Sequence, residues 1–71
     1  MSEETISKLG DMVRNARKEQ GLTQEYLASM SGVGIRFVRE LEQGKTSCHI
    51  GKAFLVLAML GLEVRIDGET L

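Results

Sequence analysis

The sequence has no proline and no tryptophan, and its 71 residues include one cysteine and one histidine. A single cysteine excludes an internal disulfide, and one cysteine with one histidine cannot complete a structural zinc site. The longest apolar run, residues 53–60, has eight residues, whereas a membrane-spanning helix needs roughly 20. The acidic start MSEETISKLG lacks the apolar segment of a secretory signal. We therefore expect a cytoplasmic protein with no metal, no cofactor and no membrane contact.

Catalysis is not expected either. One histidine, one cysteine and the lack of a glycine-rich phosphate loop or a clustered acid–base pair leave no place for an active site. The predicted class is a binding protein rather than an enzyme.

The composition indicates one small folded domain spanning 1–71. Hydrophobic residues make up 42% of the chain and charged residues 27%, a balance typical of globular domains. The net charge is −1, but residues 14–52 carry seven basic and four acidic side chains between two acidic ends. This distribution permits a phosphate-binding face in the middle of the chain, although a three-charge excess is also common on a solvated surface.

Helical periodicity predicts four helices after a flexible N-terminus at residues 1–5. They are helix 1 from Thr5 to Gln20, helix 2 from Gln24 to Ser31, helix 3 from Ile35 to Glu42 and helix 4 from Ile50 to Leu60. Gly32 to Gly34 form a three-residue break between helices 2 and 3, with Gly34 as the N-cap of helix 3. Two short helices joined by such a turn are the helix-turn-helix arrangement.

Helix 3 has an outward side that carries Arg36, Phe37, Arg39 and Glu40. The two arginines can each fork onto a guanine, hold phosphates or pair with Glu40. Ile35 and Phe37 leave two interpretations open: they pack into the core, or they contact thymine methyl groups in the major groove.

The C-terminal third predicts a homodimer by two routes. The expected core stripe of helix 4 consists of Ile50, Ala53, Phe54, Leu57 and Leu60. The rest of its surface is apolar too, so we expect a second chain to cover part of it. Residues 62–67 alternate as a half-buried strand with no visible partner in the chain, so pairing with the same strand of a second protomer is expected. The predicted dimerisation residues are Leu55, Met59, Leu62, Val64 and Ile66.

The run GLTQEYLASMSGVGIRFVRELEQGK resembles the Xre-type helix-turn-helix family, which includes the lambda-repressor-like DNA-binding domains. With helices 1 and 4, the resemblance extends from about Leu9 to Val64. The ending Leu-Gly-Leu-Glu-Val followed by a terminal strand is similar to that of the HipB-like regulators. Those are dimeric antitoxin or co-repressor proteins encoded beside HipA-type kinase toxins. The resemblance implies an all-α, compact four-helix domain with one short C-terminal strand.

The resemblance also implies roles for individual residues. Gln24 matches a glutamine that touches the DNA backbone, and Gln43 and Lys45 match loop positions that contact phosphate. Arg17 and Glu42 match a buried ion pair with a structural role. The implied base-facing positions of the recognition helix are Ile35, Arg36, Arg39 and Glu40, while Gly34 stands where many relatives have a hydroxyl residue.

The expected function is therefore a dimeric transcriptional regulator that represses its own operon through an inverted-repeat operator in double-stranded DNA. Two alternatives remain at this point. One is a HipB-like antitoxin whose main partner is a HipA-type kinase, and the other is a protein-interaction module that no longer binds DNA.

Overall fold

The computed structural model describes residues 2–71, which form four α-helices followed by a small hairpin. The elements are α1 Glu3–Glu19, α2 Gln24–Ser31, α3 Ile35–Glu42, α4 Ile50–Met59, β1 Arg65–Ile66 and β2 Glu69–Thr70. The predicted all-α class is confirmed, and the boundaries of helices 2 and 3 are those expected from the sequence.

Helix α1 begins two residues earlier than the periodicity indicated. The Ser2 hydroxyl accepts a hydrogen bond from the Thr5 amide at 3.2 Å, and this N-cap starts the helix at Glu3. Glu3 and Glu4 lie in the first turn, where negative charge interacts favourably with the helix dipole. Residues 3–5, expected to belong to a flexible N-terminus, are therefore helical, and Met1 lies outside the described residues.

One core holds the four helices together. Its fully buried side chains come from every helix and include Val13, Leu27, Val38, Leu41 and Val56. Helix α3 packs against both α1 and α2, while α2 also packs against α4. The recognition-helix candidate therefore rests on a scaffold made by its two neighbours.

The buried face of α4 differs from the expected one. We expected Ile50 and Phe54 in the core, but their exposed fractions are 58% and 41%. The buried face consists of Ala53, Val56, Leu57 and the capping Leu60. Both sets have helical spacing because almost every side chain of α4 is apolar, so periodicity alone could not choose between them.

The strand expected over residues 62–67 is shorter than predicted, and it has a partner strand within the chain, which the sequence analysis did not expect. Only Arg65–Ile66 is a strand, and it pairs antiparallel with Glu69–Thr70 of the same chain. Asp67 and Gly68 join the two strands with φ values of 49° and 82°. Asp-Gly with positive φ at both positions is the preferred two-residue hairpin turn, and our sequence analysis overlooked it. Leu62 and Val64 precede the strand and pack half-buried against the core.

Candidate nucleic-acid interface

The turn between α2 and α3 sets the geometry of the candidate site. Gly32 ends α2 in the left-handed conformation with φ 72°, and the Val33 amide donates to the Ala28 carbonyl at 3.1 Å. This is the usual glycine-terminated helix end. Gly34 is extended and acts as the N-cap of α3 without a side-chain hydrogen bond. Only residues 32–34 separate the two helices, so the N-terminus of α3 lies close to the C-terminus of α2.

Helix α3 has one buried face and one solvent-facing side. Val38, Leu41 and Glu42 face inward, and the Arg36 side chain is 88% exposed. Arg39 is also exposed. Ile35 and Phe37 are half-buried and pack against the core, so each combines a core contact with a partly accessible surface.

Glu40 lies between two cations on this surface. Its Oε1 atom is 3.1 Å from Arg36 Nε and 3.2 Å from Lys45 Nζ. Hydrogen bonds from Lys45 and Arg36 lower the pKa of Glu40 below its ordinary value, and the bond from Lys45 has the larger effect. A carboxylate and two cations, one on the helix and one after it, therefore form a charged cluster at the surface.

A buried ion pair stands behind the surface and links it to α1. Arg17 Nε donates to Glu42 Oε2 at 2.6 Å and Nη2 donates to Oε1 at 3.0 Å. Arg17 Nη1 also donates to the Leu22 carbonyl at 2.9 Å. The hydrogen bond to Glu42 raises the pKa of Arg17, against the opposing effect of burial. A bidentate pair of this kind fixes the relative position of two elements as well as contributing energy.

Gln24 connects the buried pair of Arg17 and Glu42 to the surface of the domain. Its Nε2 atom donates to Glu42 Oε1 at 3.1 Å. Gln24 is the first residue of α2, directly after Thr23, whose hydroxyl caps the helix by accepting from the Tyr26 amide at 3.0 Å. Glu42 thus contacts side chains of α1 and α2 from its place at the end of α3.

An open polar cleft lies at the N-terminus of α2. Besides the buried pair and the start of α2, it is lined by Arg14, Arg39 and Gln43. Two arginines beside a helix N-terminus suit the binding of a phosphate group. Arg14 was not among the binding residues predicted from the sequence, although its position three residues before Arg17 places both on the same side of α1.

Six of the sequence-predicted DNA-binding residues fall into two groups. Gln24, Arg39 and Gln43 line the cleft, whereas Arg36, Glu40 and Lys45 form the charged cluster. Gly34 is exposed at the start of α3 and belongs to neither group.

The predicted dimerisation residues also divide. Leu55, Met59 and Ile66 have exposed fractions of 51%, 43% and 59%, while Leu62 and Val64 pack partly against the core. In the part of the chain that the structure describes, no three His, Cys, Asp or Glu side chains are close enough to hold a metal ion. None of the helices within residues 2–71 has the length and apolarity to cross a membrane.

Comparison with known proteins decides the family. Residues 13–66 match the family model described as "Helix-turn-helix". The chain belongs to the helix-turn-helix family. This confirms the resemblance to the Xre-type helix-turn-helix proteins that the sequence motif carried.

One sequence relative and one solved structure are similar to this helix-turn-helix chain. It is 47% identical over 62 residues to an uncharacterized HTH-type transcriptional regulator, y4mF, of Sinorhizobium fredii, covering 87% of this chain and 82% of that protein. A solved structure named MDT Protein superposes with a TM-score of 0.79 over 93% of this chain and 89% of the other. At 21% identity, that second similarity concerns the fold alone.

Proposed function

We propose that this protein is a sequence-specific, double-stranded DNA-binding transcriptional regulator that inserts α3 into the major groove. The observation that carries the proposal is the position of Arg36 and Arg39 on the exposed side of α3, next to the polar cleft at the start of α2. A recognition helix needs base-reading side chains flanked by groups that hold phosphates. The name of the Sinorhizobium relative, an HTH-type transcriptional regulator, supports the same function.

Each group of residues has a distinct role in this proposal. Arg14, Gln24 and Gln43 hold a phosphate in the cleft, and Arg36 reads a base edge as a bidentate donor to guanine. Ile35 and Phe37 support the helix through the core and present only part of their surface to the groove. Arg17 and Glu42 position the helix and do not touch DNA.

The protein acts as a dimer that represses its own operon in this proposal. Exposed apolar side chains at Leu55 and Met59 of α4 and at Ile66 of the hairpin supply a surface for a second copy. A two-fold dimer places its recognition helices about 34 Å apart, or a multiple of that distance, and therefore binds an inverted repeat. Each protomer contacts one half-site, so the dimer binds the operator more tightly and more specifically than one protomer could.

Fluorescence anisotropy of the DNA immediately upstream of the gene tests this function, with a random duplex as competitor. We expect saturable binding, two protomers per duplex and an affinity that falls steeply as salt increases. Equal, weak binding to both duplexes would instead support a protein-interaction module that no longer binds DNA.

Arg36→Ala tests the base-reading assignment. We expect the affinity for the upstream site to fall by about 1–3 kcal/mol, with a smaller change for random DNA and an unchanged far-UV circular dichroism spectrum. Lys8→Ala is the control, because it removes one positive charge from an exposed position on the N-terminal half of α1. Full site affinity in the Arg36 variant would show that this arginine does not read a base.

A second candidate function is that of a HipB-like antitoxin and co-repressor with a HipA-type kinase toxin as its partner. The specific observation in its favour is the extent of exposed apolar surface, which includes Phe54 on α4 and Leu71 at the end of the hairpin in addition to the proposed dimer residues. Co-purification of an untagged protein encoded by the neighbouring gene distinguishes this candidate from a regulator that acts without a toxin.

A further inference from the structure

Glu40 is the acidic residue at the centre of the surface that the proposed function assigns to DNA. It lies one helical turn after Arg36, and Lys45 follows just beyond the helix. Lys45 is attached to Glu40 twice, because its backbone amide donates to the Glu40 carbonyl at 3.0 Å and its ammonium group lies 3.2 Å from the carboxylate. The Glu40 side chain is only 27% exposed, between the helix and the residues that follow it.

The Glu40 carboxylate and the phosphates of DNA compete for the same two cations, Arg36 and Lys45. Both Arg36 Nε and Lys45 Nζ approach the single oxygen Oε1 of Glu40. A duplex that approaches α3 brings phosphates that repel this carboxylate and attract both cations. The depressed pKa of Glu40 keeps the carboxylate ionised at neutral pH. Any duplex, whatever its sequence, therefore meets this repulsion.

A particular base can remove the repulsion. In the major groove, guanine and thymine present only acceptors to a carboxylate, and the amino donor of adenine lies beside the N7 acceptor, whereas cytosine presents its N4 amino donor without an acceptor of its own. Glu40 is four residues after Arg36 on the same side of α3, so both side chains approach the same stretch of groove.

Building on the proposed DNA binding, we infer that Glu40 is a specificity-determining residue. It lowers the affinity of the protein for every duplex, and the cognate site restores that affinity by presenting a cytosine amino group to the Glu40 carboxylate. Glu40 thereby increases the difference in affinity between cognate and random DNA, and this difference determines specificity.

Glu40→Gln tests this inference, because it removes the charge with little change in shape. Wild type and variant each select sites from a randomised duplex library, and their affinities for a scrambled duplex are measured over a range of salt concentrations. We expect the variant to bind the scrambled duplex about fivefold more tightly, the size of effect that two exposed ion pairs can have. We also expect a steeper salt dependence and a weaker cytosine preference at one position of each half-site, because the neutral amide of glutamine can also pair with adenine.

Glu4→Gln is the matched control, since it removes the same charge from the exposed first turn of α1. It should leave the selected sequence and the scrambled-duplex affinity unchanged. An unchanged scrambled-duplex affinity or an undiminished cytosine preference in the Glu40 variant overturns the inference. The failure of wild type to enrich any sequence would instead refute the proposed DNA binding, so the two failures are distinguishable.

Discussion

Gly10 gives a sharp test of how α1 and α3 are packed. A Cβ atom added at this position would lie 2.5 Å from the Leu41 carbonyl oxygen and 2.8 Å from the Glu42 carbonyl oxygen. Ordinary contact between such atoms requires about 3.5 Å, so the two helices would have to separate by roughly 1 Å. Neither oxygen can move independently, because both belong to the last turn of α3.

The expected effect of Gly10→Ala is the balance of two terms. Alanine is favoured over glycine in a helix interior by about 1 kcal/mol. Overpacking against a neighbouring element typically costs about 1–3 kcal/mol, and contact with backbone rather than a flexible side chain puts this case near the upper end. We therefore expect a net destabilisation of about 1–2 kcal/mol, which for a domain of this size lowers the melting temperature by about 4–16 °C.

Thermal unfolding followed by circular dichroism measures this effect directly. Gly51→Ala serves as the control, because Gly51 is exposed in the first turn of α4 and an added Cβ would meet only atoms of the His49 ring, at 3.1 and 3.4 Å. The ring of His49 accepts a hydrogen bond from the Lys52 amide at 3.3 Å, and the loss of this cap would offset the gain of alanine over glycine in a helix, so we expect the melting temperature of the control to change little. A Gly10 variant as stable as wild type would refute the close packing of α1 on α3.

Two further predictions concern buried polar groups. Arg17→Ala should destabilise the protein by about 3–5 kcal/mol, because it leaves the Glu42 carboxylate buried without its cation; an unmoved melting temperature would contradict this. Ser31→Ala should stabilise it by about 1 kcal/mol, since the buried Ser31 hydroxyl has no hydrogen-bond partner within residues 2–71. A lower melting temperature in the Ser31 variant would show that the hydroxyl does have a partner.

Local signals in the sequence were sufficient for much of the fold. The Thr23 N-cap and the glycine at position 32 fix the ends of α2, and each acts through contacts within a few residues. The close approach at Gly10 was also foreseeable, because a glycine inside a helix is unfavourable unless another element packs against it. The buried face of α4 was not foreseeable, since the choice between Phe54 and Val56 depends on how the other helices meet it.

The candidate site shows the same division. The family resemblance predicts DNA contacts for Gln24 and Lys45, but it does not show that Glu40 joins Lys45 to Arg36. The contribution of Arg14 to the cleft depends on the packing of α1 against α2 and α3, a relation between elements distant in the sequence. The hairpin is a different case, because Asp67-Gly68 was a readable signal and the error was to look for a partner strand only in another chain.

Glu42 connects the stability of the domain to the surface that we propose binds DNA. Its carboxylate binds Arg17 of α1 and Gln24 of α2, and its carbonyl oxygen lies against Gly10. One residue at the end of α3 therefore holds this helix to both neighbouring helices. Since Gln24 also lines the cleft, a change that displaces Glu42 moves a side chain to which we assign phosphate binding together with the core. Substitutions at Arg17 and Gly10 should therefore weaken DNA binding even under conditions in which the variant remains folded, although neither residue has a role in contacting DNA.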